Sequence, residues 1–187
     1  MHRLHPFCLL AVLLFLLTAC QEEPSRPWIP VLEQSGFTYL DDAVAELRQE
    51  MGEAAGQLRS GANARAALTL EQMSQTLLKV EKYFLPLTEV RQLIYDADRV
   101  YYLGQKEKAG QKLQQARERL VLIGAAGGEA LEKKVNEAVL MLEELKLAIE
   151  TDPAGVTDKM RLLGEKVNLM ILKGDLILSG VRFAQAD

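Results

Sequence analysis

The sequence predicts an all-α protein of about six antiparallel helices forming three hairpins, a helical bundle or a short α-hairpin array. Three observations carry this reading. Beyond Tyr39, apolar residues recur at alternating steps of three and four. No stretch sustains the apolar–polar alternation of a half-buried strand. Part of the pattern repeats along the chain, with Gly61 returning as Gly104 in a register of 43 residues.

Residues 1–19 read as a signal peptide. Arg3, between His2 and His5, makes a short basic start, and Phe7 to Ala19 is an apolar run ending in small residues. A membrane-spanning helix needs roughly 20 apolar residues, so the run is short for a span. It closes on Leu17-Thr18-Ala19-Cys20, which resembles the lipobox of bacterial lipoprotein precursors. The resemblance implies that Cys20 becomes the mature N-terminus, with a diacylglyceryl thioether and an acylated amine, the palmitate-type anchor of that family. Several acyl chains anchor stably where one does not. In Gram-negative lipoproteins an aspartate after the cysteine signals inner-membrane retention. Gln21 stands there instead, so the resemblance implies the outer membrane, periplasmic face.

Residues 20–38 are expected to form a tether. Pro24, Pro27 and Pro30 recur every third residue and favour extended chain, long enough to hold a domain roughly 50 Å from the membrane. Trp28 and Ile29 are expected to pack back onto the domain that follows.

Residues 39–187 form the helical domain. Asp41 and Asp42 suit a first turn, and Val44, Leu47, Met51, Ala54 and Leu58 follow helical spacing up to Gly61. The second run is Ala66, Leu70, Met73, Leu77, Val80 and Phe84, broken or restarted by Pro86. The third is Leu87, Val90, Ile94, Ala97 and Tyr101, ending at Gly104. The fourth is Ala109, Leu113, Ala116, Leu120 and Ile123, followed by a small-residue loop at 124–128. The fifth runs from Leu131 to Ile149, with Thr151-Asp152-Pro153 as stop, cap and restart. The sixth is Val156, Met160, Leu163, Val167, Met170, Gly174 and Ile177.

The repeat pairs Glu46, Arg48, Gln49, Ala54, Gly61, Ala66, Leu70 and Gln72 with Glu89, Arg91, Gln92, Ala97, Gly104, Ala109, Leu113 and Gln115. Its content is a hairpin with glycine at the turn and small residues where the helices meet. Gly104-x4-Ala109-x3-Leu113-x2-Ala116 resembles the second half of a tetratricopeptide repeat, and the same stretch is similar to YfdX-type periplasmic helical domains. The first-helix signature of the tetratricopeptide family is missing, because Asp96-Ala97 and Val100 stand at its positions.

Composition excludes whole classes of chemistry. Loss of residues 1–19 removes His2, His5 and Cys8, and acylation would block Cys20. The mature domain then has no histidine and no free thiol, so it builds no Ser-His-Asp or Cys-His pair and no His or Cys zinc site. It holds no disulfide, and no cofactor is expected. The formal charge of −4, with signs interspersed, lacks the basic stripe of a nucleic-acid binder.

The expected recognition face lies on the third run. Arg91, Tyr95, Asp98 or Arg99, and Tyr102 fall off its apolar stripe, and Tyr83 adjoins from the preceding turn. The sixth run carries a second set of leucines, Leu162, Leu169, Leu172 and Leu176, and is expected to be buried centrally. An apolar helix of this kind, over 156–180, also offers a homodimer interface. Lys159, Lys166 and Lys173 are expected to pair with acids of the fifth run, such as Glu137 and Glu144.

These residues describe a lipid-anchored, non-enzymatic binding or scaffold protein with a protein partner. A second reading is a binder of a small apolar or amphiphilic ligand between the third, fourth and sixth helices, in a pocket of at least roughly 300 Å³. A third, a carboxylate-based enzyme, requires two acids in a cleft with perturbed pKa values.

Overall fold

Each of the six apolar runs is helical in the computed structural model, which describes residues 28–151 and 154–184, with side chains from Leu40 onward. The helices are α1 (Trp28–Arg59), α2 (Asn63–Lys79), α3 (Leu85–Tyr102), α4 (Lys106–Ala126), α5 (Gly128–Thr151) and α6 (Val156–Leu172), with a short α7 (Gly174–Ile177). Among the described residues there is no strand. The leader, the Cys20 anchor, the tether as far as Pro27, the side chains of Trp28 and Ile29, and Asp152-Pro153 lie outside the described residues.

Helix α1 begins at Trp28, inside the stretch expected to be extended. Pro30 falls in its first turn, where the backbone N–H groups have no helical acceptor and proline costs little.

Helices α3 to α6 close a four-membered ring. Helix α3 packs on α4, α4 on α5, α5 on α6, and α6 returns to α3. The core between them includes Leu87, Val90, Leu113, Leu120, Leu142 and Leu163, all fully buried. Burying side chains of this size contributes about 1.5–3 kcal/mol each relative to exposure.

The α3–α4 and α1–α2 turns are copies of one another. Gly61 and Gly104 have φ of +75° and +78°. In both, the glycine N–H reaches back to Leu58 or Tyr101, and the next residue's N–H bonds the carbonyl of Gln57 or Val100. This is the helix-ending motif that glycine serves because it alone enters left-handed space without strain. Ala54 and Ala66 are buried in the first hairpin, as Ala97 and Ala109 are in the second. The repeat seen in the sequence is therefore a repeated piece of structure.

The connection from α2 to α3 departs from expectation. Pro86 neither breaks nor restarts the helix. Helical chain runs through from Asn63 to Tyr102 with one π-helical turn, Val80–Phe84, in which the Leu85 N–H bonds the Val80 carbonyl five residues back. A proline lacks the N–H its turn needs, and its ring presses on the carbonyl four residues earlier. Inserting one residue widens the turn and relieves both. The small-residue loop also shrinks: α4 runs to Ala126, and the chain reverses at Gly127-Gly128, where Gly128 has φ of +69°.

After α7 the chain turns back. Leu178, Val181 and Phe183 are buried. Gln75 of α2 clamps this tail in both directions, donating to the Phe183 carbonyl and accepting from the Phe183 N–H, each at 3.3 Å.

Candidate interaction surfaces

The π-turn decides the fate of one expected site residue. Tyr83, expected to adjoin the recognition face from the preceding turn, is fully buried instead. Its hydroxyl donates to the Met170 carbonyl of α6 at 3.0 Å. Its ring stands edge-on to Phe84, with centroids 4.9 Å apart and planes at 84°. An extra residue in the turn rotates consecutive positions toward the core, so two adjacent aromatics are both buried. The sequence signal for this was Pro86, whose missing N–H calls for a bulge one turn earlier.

The rest of that face stays on the flank of α3. Arg91, Tyr95 and Asp98 are half-buried, and none of them is without an interaction partner. Arg99 and Tyr102 are exposed. The face is thus shorter than expected, and its inner half serves packing as well as solvent.

Helix α6 is not buried centrally. Val156, Met160, Leu163, Val167 and Met170 enter the core, while Leu162, Leu169 and Leu172, with Leu176 beyond, are exposed. The reason is the closed ring: among the described residues, α6 packs chiefly against α3 and α5. Lys166 pairs with Glu137 of α5, as the heptad line of lysines predicted. Arg117–Glu143 at 2.8 Å and Arg119–Glu89 at 3.2 Å staple the other helix pairs.

Among the described residues, two grooves follow the helix seams. One, about 1200 Å³ and open to solvent, lies between α4 and α5, with Lys106, Glu107, Gln111, Gln114, Lys146 and Glu150 on its walls. The other, about 590 Å³, lies between α3 and α4 beside Glu89, Gln92, Leu93, Arg119 and Leu122. Both are rimmed by charges and amides rather than enclosed. Between α3, α4 and α6, Leu87, Ile94, Leu113 and Leu163 are buried.

A perturbed carboxylate lies elsewhere. Glu50, on the inner face of α1, has its carboxyl pushed above the ordinary range by burial; Glu46 and Glu53 add to the effect and Lys79 of α2 opposes it. Its Oε2 is shielded from water and has no hydrogen-bond partner. Two turns farther along the same hairpin, the Thr69 hydroxyl donates to Gln57 Oε1 at 3.0 Å. Among the described residues, no group of three acidic, histidine or cysteine side chains could hold a metal ion, and no helix is long and apolar enough to cross a membrane.

Comparison with protein-family models, with known proteins and with solved structures gives no match for this chain.

Proposed function

We propose that this chain is a lipid-anchored binding or scaffold protein that faces the periplasm and acts by protein–protein contact. The observation that carries the reading is the outer stripe of α6. Leu162, Leu169 and Leu172 are exposed on a helix whose opposite stripe already fills the core. Large aliphatic side chains repeated in helical register on a packed helix mark a surface that another helix covers. The acyl anchor is supported by Leu17-Thr18-Ala19-Cys20 at the end of the leader. It would hold this surface at the membrane, where partners meet it at raised local concentration.

The test places a photo-cross-linking amino acid at Leu169, or at the exposed Lys133 of α5 as a control, in the full chain in bacterial cells. The expected result is a discrete adduct from position 169, none from 133, and recovery in the membrane fraction. Cys20→Ser is expected to move the protein out of that fraction. A Cys20→Ser protein that stays with membranes after leader removal overturns the anchor. Absence of adducts from 162, 169 and 172 overturns the α6 surface.

A further inference from the structure

The repeat has two halves, and only one of them is covered. In the second hairpin the stripe facing α5 and α6 consists of Leu87 and Ile94 on α3 and Leu113 and Leu120 on α4. None of these is more than 3 % exposed. Moved back by the repeat register, the same positions are Val44, Met51, Leu70 and Leu77. They are apolar too, but they are 47 %, 60 %, 49 % and 52 % exposed. Leu58, the counterpart of half-buried Tyr101, is 54 % exposed. The turn hydrogen bonds and the buried alanines match between the hairpins, so the two stripes occupy equivalent faces. The first hairpin therefore presents a core face that no helix pair among the described residues covers.

We infer that this face docks on the α1–α2 hairpin of a second copy, forming an antiparallel four-helix bundle between two chains. The inference rests on the proposed reading of the chain as a protein-binding module and adds a second surface, with its own partner. The second hairpin shows what such a face takes, which is two antiparallel helices. Register makes the face self-complementary. The Thr69–Gln57 hydrogen bond sets α1 against α2 so that Leu77 lies within two residues, about 3 Å, of the level of Met51, and Leu70 likewise of Leu58. A two-fold axis parallel to the helices lays α1 over the partner's α2. It then brings Met51 onto Leu77 and Leu58 onto Leu70 across the interface.

Charge agrees with that pairing. The α1 edge of the stripe carries Arg48, four residues past Val44, and Arg59, next to Leu58. The α2 edge carries Glu71, next to Leu70, and the π-turn that follows carries Glu81, whose carboxylate also meets Lys82 at 2.8 Å. In the same arrangement a basic edge meets an acidic edge twice, which favours this pairing over α1 on α1. The axis also sends both α1 helices in one direction. The Trp28 ends of both helices then lie at the same end of the bundle, as two anchors in one bilayer require.

The test co-expresses two differently tagged full-length chains in bacterial cells, one with Met51→Cys and the other with Leu77→Cys, followed by mild oxidation. The expected product is a mixed-tag disulfide dimer, absent when Leu162→Cys and Leu172→Cys replace the pair. Leu58→Glu is expected to reduce it at least tenfold while leaving the helical circular dichroism unchanged. A chain that remains monomeric on sedimentation at tens of micromolar overturns the inference. So does a dimer that cross-links through α6, or a Met51→Cys adduct to the chain's own leader or to a different protein. A monomer that still gives the Leu169 photo-adduct overturns self-docking alone. A hairpin dimer without that adduct overturns the α6 surface instead.

Discussion

The Phe84 ring occupies the space that any side chain on Gly174 would need. A Cβ on Gly174 would stand 2.2 Å from Phe84 Cζ and 2.3 Å from Cε1, with Tyr83 Cε1 at 3.3 Å behind them. The neighbouring atoms belong to a ring that is itself fully packed, so it cannot swing away. Gly174→Ala is expected to destabilise the fold by about 1–3 kcal/mol, the usual range for overpacking. Thermal unfolding measures this. Because ring and glycine share one contact, the cost is expected to shrink in a Phe84→Leu background, which leaves room for the methyl.

Tyr83 supplies a second test of the same junction. Its hydroxyl is the polar link between the π-turn and the Met170 carbonyl in a site without solvent. Tyr83→Phe keeps the ring and removes the link. The expected loss is about 1–2 kcal/mol in denaturant unfolding, within the range for a buried hydrogen bond whose acceptor remains. A tyrosine on an exposed recognition face would give a loss near zero, so the measurement separates the two placements.

The helices, their faces and the repeated glycine turn were legible in the sequence because they depend on local spacing. Gly61 and Gly104 marked chain reversals, and the runs through Leu113 and Leu163 marked the core. What escaped was set by counting or by distant partners. One inserted residue at Val80–Phe84 moved Tyr83 from surface to interior, and straight α-helical counting cannot register an insertion. The tail from Leu178 to Phe183 carries no periodicity, and its fixing by Gln75 is a contact between distant parts of the chain. Apolar character also does not say who covers a face. Leu70 and Leu113 look alike in sequence, as do the two stripes of α6, and only the ring closed by α3 to α6 separates the buried from the exposed.

Glu50 makes the first hairpin pH-dependent. Its pKa in the folded chain is raised above the ordinary 4.5, chiefly by burial. The hairpin is therefore most stable with this carboxyl protonated, below the ordinary value. That contribution is lost as pH rises through the raised folded value. Glu50→Gln keeps the shape and removes the titration. Relative to α4 and α5, protection of the α1 and α2 amides is expected to be higher in the variant at neutral pH and no longer to fall as pH rises across the weakly acidic range. The exchange of α4 and α5, far from Glu50, serves as the internal reference.

Repeat-matched substitutions separate what the two hairpins share from what they do not. Gly61→Ala and Gly104→Ala each force a methyl-bearing residue into left-handed space, and neither Cβ meets any atom within 4 Å. The penalty is one of backbone alone, about 1–2 kcal/mol at either site. Leucine truncation behaves differently. Leu113 is fully buried, and Leu113→Ala is expected to cost about 2–5 kcal/mol through lost burial and the cavity left behind. Leu70, at the same place in the repeat, is 49 % exposed. In dilute chain, with no second copy on the face, Leu70→Ala is expected to cost less than about 0.5 kcal/mol, as surface substitutions do. Equal glycine costs beside unequal leucine costs would mean that the repeat duplicates the turn and the face but not the cover. Equal leucine costs in dilute solution would mean that something within the same chain already lies on Leu70.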